Sequence, residues 1–280
     1  MRIALCNEVL SGMEFAAQCA YARALGYDGV EVAPYTVSER PHAVPASQRA
    51  RLRRAAADAG VAVTGLHWLL VAPKGLSITS RDATVRRRTV DVMRALIGLC
   101  ADLGGRVLVH GSPAQRAIGP DDDAATARAR ARDCFAAIAE DAAAAGVVYC
   151  VEPLSRRMTS VINTVEEAAA LVREIGHPAV RTMLDTSAAG ASEPEPVAAT
   201  LDRWLPTGFV AHVQVNDTNR RGPGQGGDRF TPVLAALRRH RYAGDVAVEP
   251  FEYVPDGPAA AARAIGYLRG ILEALDERAP

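Results

Sequence analysis

The sequence predicts a single (β/α)8 barrel covering residues 1–280, and three observations carry that prediction. Short apolar runs alternate with helical, 3.6-periodic stretches from one end of the chain to the other. The runs are apolar almost throughout rather than at every second residue, as befits strands of a parallel sheet covered on both faces. A chain of 280 residues, 49% of them hydrophobic, also fits the ~250 residues that one such barrel takes. A doubly wound open sheet is the alternative, but no Gly-x-Gly-x-x-Gly follows the first strand.

The first strand is 3–6, and its helix, 15–25, is closed by Gly26. The second strand is 29–32, and its helix over 47–59 stops at Gly60, because glycine takes the left-handed C-terminal position without strain. The third strand, 61–66, leads through a longer loop containing Trp68, Pro73 and Ser80 into a long helix over 83–103. The fourth is 107–110, followed by a helix over 122–145 whose acidic first turn suits the helix dipole. The fifth is 147–151, with a helix over 164–175 opened by a Thr164…Glu167 capping box. The sixth is 180–184, followed by a Ser/Glu/Pro loop and a helix over 197–204. The seventh is 209–215, then a glycine-rich loop over 222–227 and a helix over 232–239. The eighth is 246–248, and a helix over 259–275 completes the set.

Composition excludes several function classes. Acidic and basic residues balance at 32 each, so no global field draws the protein to nucleic acid or membrane. Lys74 is the sole lysine and lies in a Pro-Lys-Gly loop, which argues against Schiff-base chemistry. The five cysteines (Cys6, Cys19, Cys100, Cys134, Cys150) are scattered without a Cys-x-x-Cys, as reduced thiols are. The N-terminal apolar run is too short for a signal peptide, and none approaches the ~20 residues of a membrane span. A soluble, cytoplasmic protein is expected.

Chemistry concentrates at strand ends. Val148-Tyr-Cys-Val-Glu152, Arg181-Thr-Met-Leu-Asp185, Val210-Ala-His-Val-Gln214 and Val246-Ala-Val-Glu249 each carry a polar group where a buried strand surfaces. Catalytic groups of such barrels sit at the C-terminal strand ends, and alternation along a strand lets Glu152, Asp185, Gln214 and Glu249 all face the mouth. Three carboxylates crowded there repel unless a cation neutralises them. A divalent ion does so most simply, and an oxygen-rich set favours Mn2+ or Mg2+ over Zn2+. The competing explanation pairs these carboxylates with Arg156, Arg220 or Arg221. Glu31 also ends a strand, but a lone carboxylate there reads as structural.

The segments Glu152-Pro-Leu, Leu184-Asp-Thr, His212 through Gly226 and Tyr242 through Phe251 resemble the xylose-isomerase-like superfamily of sugar isomerases and epimerases, which includes ketose 3-epimerases, inosose dehydratases and endonuclease IV. The resemblance spans nearly the whole chain and is specific for the superfamily rather than for one substrate. It implies one divalent ion, manganese first, with Mg2+, Co2+ or Zn2+ as alternatives. Glu152 and Glu249 would be ligands and also the acid/base pair that exchanges a proton with the substrate carbon; Asp185 would be a ligand. Arg220 would hold substrate oxygens. The substrate would be a small polyhydroxylated carbonyl compound, the reaction isomerisation or epimerisation through an enediolate, and the assembly a dimer or tetramer. The same enolate can instead expel a β-substituent, so a lyase acting on a keto-cyclitol or oxidised glycoside is the second expectation. A sugar-binding barrel without turnover is a third.

The match departs from the epimerase pattern at three positions. The histidine ligand becomes Gln214, with His212 two residues earlier as second choice; a glutamine carbonyl oxygen suits a hard cation. The histidine three residues after Asp185 is Ala188, and the glutamate six after Glu152 is Met158, so the substrate or the reaction differs. His67, Trp68, His110 and His212 are expected to contact substrate. His67 and His110 match positions where endonuclease IV holds a further zinc, but Ala188 and Phe230 replace two of its histidines and the net charge is neutral, which speaks against DNA repair. The loop from Arg220 through Gly227 offers backbone N–H groups to an anion, which leaves a phosphorylated substrate open.

Overall fold

The computed structural model describes residues 1–277; the last three residues of the expected 1–280 domain lie outside it. Eight parallel strands close into one barrel in sequence order. They are β1 (Arg2–Cys6), β2 (Gly29–Val32), β3 (Ala62–Leu66), β4 (Val107–His110), β5 (Val148–Val151), β6 (Val180–Asp185), β7 (Val210–Val215) and β8 (Asp245–Val248). The barrel closes where β1 pairs with β8, Leu5 opposite Val248. Arg2 clips this seam at the end away from the mouth, through a two-pronged pair with Asp245 at 2.7 and 3.0 Å.

Helices α1 (Phe15–Leu25), α2 (Ala46–Ala59) and α3 (Ala83–Leu103) each end on a left-handed glycine: Gly26, Gly60 and Gly104. The expected helix over 122–145 is two: α4 (Ala124–Ala136) and α5 (Ala139–Ala144), broken where Ile138 leaves helical geometry at φ −111°, ψ 0° to bury its side chain. α6 (Val165–Ile175) starts at Thr164, whose hydroxyl accepts from Glu167 N at 3.1 Å; the Glu167 carboxylate reaches one residue further back, to Asn163 N. The stretch after β6, expected as loop, opens with α7 (Thr186–Ser192), capped by Asp185 itself. α8 (Val197–Trp204), α9 (Phe230–Arg239) and α10 (Gly257–Asp276) complete the outer layer. Among the described residues no helix is long and apolar enough to cross a membrane.

The main apolar core lies between strands and helices, built from outward side chains such as Leu108, Tyr149, Val151, Leu184 and Val213. Val109, Cys150 and Met183 form a separate small cluster. Cys150 and Met183 precede Glu152 and Asp185 by two residues, so apolar side chains below give way to carboxylates above on one face of each strand.

Candidate active site

The backbone ladder runs one residue past β5 and β8: Glu152 N donates to His110 O at 3.3 Å and Glu249 N to Val215 O at 3.2 Å. This fixes both side chains at the rim. Glu152, Asp185 and Glu249 bring carboxylate oxygens within 4.8 Å of one another, and all three residues are buried. The arginines that were the alternative partners are engaged elsewhere. Arg156 bonds Asn163 and Glu167, while Arg220 and Arg221 face Glu252.

Burial, reinforced by Asp185, pushes Glu152 up to about 8. Burial, with Glu152 the nearest source of repulsion, raises Glu249 well above the carboxylate range. Burial likewise takes Asp185 to about 6, against the stabilising bonds it accepts at Oδ1 from Ala188 N (2.8 Å) and Ser187 Oγ (2.9 Å). Asp185 Oδ2 is buried without a partner, and so is the Oε1 of Gln214, which pairs with Asp185 across β6 and β7. Two orphaned oxygens beside mutually repelling carboxylates form a donor set that fits a hard divalent cation.

The protein gives Glu152 a dedicated seat. A Cβ at Gly111 would overlap Glu152 Oε2, so a side chain there would displace the end of that carboxylate. Arg116 is fully buried and joins the ends of β4 and β5: Nη1 donates to Glu152 O at 2.8 Å and Nη2 to Gly111 O at 3.3 Å. Burial lowers Arg116 to about 10, opposed by the Glu152 charge.

Beneath the rim lies a second group. Glu31 is fully buried; His212 Nε2 is 2.8 Å from its Oε2, Gln214 Nε2 donates to its Oε1 at 2.8 Å, and His67 Nδ1 lies 3.7 Å away. Burial alone would raise Glu31, but His212 leads the contacts that outweigh it, and the carboxyl is held below its usual range. His67 turns its Nε2 to Glu8 at 2.9 Å and lies 3.8 Å from Glu249. Burial disfavours its charge, yet Glu8 and the other carboxylates prevail and raise it. Cys6 and Glu8 gather with His67 and Glu249 into a second set of donor atoms within 4.8 Å of one another.

Of the expected residues, Glu152, Asp185 and Glu249 meet, Gln214 adjoins them through the β6–β7 register, and His67 comes within 3.8 Å of Glu249. His212 points at Glu31. His110 is not brought to the carboxylates: Nδ1 bonds Tyr149 OH at 2.9 Å and its ring stands edge-on to Phe135 of α4, so it faces the helical layer. Burial there pushes it down to about 3. Trp68 is half-buried and edge-on to Phe251, and Arg220, its side chain 56% exposed, lies over the same phenyl ring, so these three form the upper wall. Glu8 and Arg116 were not picked out from the sequence. Glu8 does follow a strand end, as the other site carboxylates do, but Arg116 lies in a loop with no such signal.

A closed barrel with a buried, carboxylate-rich group at the C-terminal strand ends defines the class: a (β/α)8 protein with a candidate metal site at its mouth. A profile described as "Xylose isomerase-like TIM barrel" matches residues 19–271, and the chain belongs to that family. It is 29% identical to the D-psicose 3-epimerase of Agrobacterium fabrum over 233 residues, 81% of this chain and 76% of that protein. A solved structure of L-ribulose 3-epimerase superposes with a TM-score of 0.84 at 24% identity, covering 99% of this chain and 96% of that one. The E. coli 3-keto-D-glucoside 4-epimerase does so with 0.82 at 21% identity, over 96% and 99%. At these identities the structures establish the shared fold.

Proposed function

We propose that the protein is a divalent-metal-dependent sugar isomerase or epimerase that removes a proton next to a carbonyl. The observation that supports it most is the buried Glu152–Asp185–Glu249 cluster, whose oxygens converge within 4.8 Å of one another. Glu152, Asp185, Gln214 and Glu249 would hold the ion, with His212 the second choice to Gln214; manganese is preferred, then magnesium, cobalt or zinc. When bound, the ion supplies positive charge against the enediolate that proton loss creates.

Glu152 and Glu249 project from strands well separated around the ring, so a substrate between them meets a carboxylate on each side. One, ionised, accepts the proton. The other, protonated, returns a proton to the opposite face of that carbon, inverting it, or to the neighbouring carbon, moving the carbonyl. In the metal-free protein burial raises both carboxyls above their ordinary range. Trp68 would shield the sugar, while His67 and Arg220 would bind its oxygens. The named epimerase relatives favour a keto-sugar and proton return over elimination. We further propose that it acts in the cytoplasm as a homodimer or homotetramer, which light scattering would check.

The test is a panel of ketoses and keto-glycosides incubated with the enzyme and Mn2+ in deuterated water. The expected result is an epimer or isomer carrying solvent deuterium next to the carbonyl. An unsaturated product would move the reading to a lyase; no exchange with any sugar, and no bound metal, would end it.

A further inference from the structure

We infer that Glu31 is a positioning residue that aims the amide of Gln214, presenting its carbonyl oxygen to the cation site; this rests on the metal-dependent reading above. A glutamine is ambiguous as a ligand because its two ends are nearly the same size, and only the oxygen can bind a hard cation. The neighbours must break the symmetry. Glu31, fully buried, offers Oε1 to Gln214 Nε2 at 2.8 Å. With the amide reversed, the Gln214 oxygen would face the Glu31 carboxylate oxygen with both residues fully buried, which the observed orientation avoids. That orientation leaves Oε1 buried and unpartnered, in the strand position paired with Asp185, whose Oδ2 is also unpartnered.

Glu31 is itself held. His212 Nε2 lies 2.8 Å from Oε2 and His67 Nδ1 3.7 Å from Oε1, both near the carboxylate without hydrogen-bond alignment, and Cys6 Sγ approaches Oε1 at 3.9 Å. The group lies one layer below the ligands, where a metal site commonly fixes its donors. A histidine ligand would present a nitrogen; the Glu31-locked amide presents an oxygen, which biases the site toward Mn2+ and Mg2+ over Zn2+.

The experiment is a double-mutant cycle on Mn2+ affinity, measured by titration calorimetry on folded, metal-stripped full-length protein. Glu31→Gln should weaken Mn2+ binding by ~10–100-fold, the usual cost of losing such an outer partner. In a Gln214→Ala background the same change should cost less than about threefold, because the residue it aims is gone. Glu31→Asp, which keeps the charge but withdraws it by one methylene, should lose affinity in the same direction and covers the case where Glu31→Gln does not fold. Native Mn2+ affinity in the folded Glu31 variants, or equal losses in both backgrounds, overturns the inference while leaving the metal enzyme intact. A wild-type protein that binds no Mn2+ overturns both.

Discussion

Glu31 and Glu249 are the same residue type, fully or nearly buried in one barrel mouth, and the fold treats them in opposite ways. Glu31 is surrounded by His212, His67 and the Gln214 amide, and its carboxyl is held below the usual range. Glu249 faces Glu152, Glu8 and Asp185, and is driven far above it. A carboxylate whose charge the protein compensates internally serves the architecture. One left uncompensated is available to a proton or a cation from outside, and the repulsion it stores is recovered when either arrives.

The largest effect expected from this contrast is on turnover. Glu249→Gln or Glu152→Gln should cut kcat by ~10²-fold or more while Mn2+ is still retained, because the proton-exchanging group is lost; near-native rates would break the assignment. Asp185→Asn should act chiefly on the metal, raising the Mn2+ dissociation constant at least ~10-fold, with activity partly restored by excess Mn2+. This is read from activity against metal concentration.

Acidity gives the third test. In the metal-free protein Glu152, Asp185 and Glu249 all have folded pKa values raised above their unfolded ones. The folded state therefore binds more protons than the unfolded state. The stability this lends is complete below the unfolded carboxylate range and is lost as pH rises through about 6 to about 8. EDTA-treated protein should melt at a higher temperature at pH 5.5 than at pH 8.5 (~5.5 and ~8.5 bracket the window), and added Mn2+ should narrow the gap by stabilising the high-pH form. The smallest effect is a difference in sign. Glu249→Gln should raise the metal-free Tm at neutral pH by ~1–3 °C because the cost of keeping that carboxyl protonated disappears, whereas Glu31→Gln should lower it. Calorimetry on the two variants that gave shifts of one sign would erase the distinction.

Much of this was legible in the sequence because barrels write themselves in alternating apolar runs and helices, and because carboxylates at the ends of β5, β6 and β8 are conspicuous against them. The break at Ile138 was not legible: the stretch is rich in alanine, with no glycine or proline to mark it, and the bend answers to packing. Nor was α7, whose small residues read as loop until Asp185 is seen to cap them. The pairing of Glu31 with Gln214 joins residues 183 positions apart, which no local pattern reports. His110 shows the limit of strand ends as a guide. A residue there faces either the lumen or the helices, and only the register of Val109 and Tyr149 around it decides which.

Gly111 carries a consequence for anyone reshaping this enzyme. Its backbone angles lie outside the left-handed region, so what a side chain would meet there is only the space taken by the end of Glu152. A side chain there moves the end of the Glu152 carboxylate rather than any backbone, so its effect should fall on activity and metal affinity more than on folding. Position 111 is thus a handle on the placement of one catalytic carboxylate, separate from the bulk of the pocket wall.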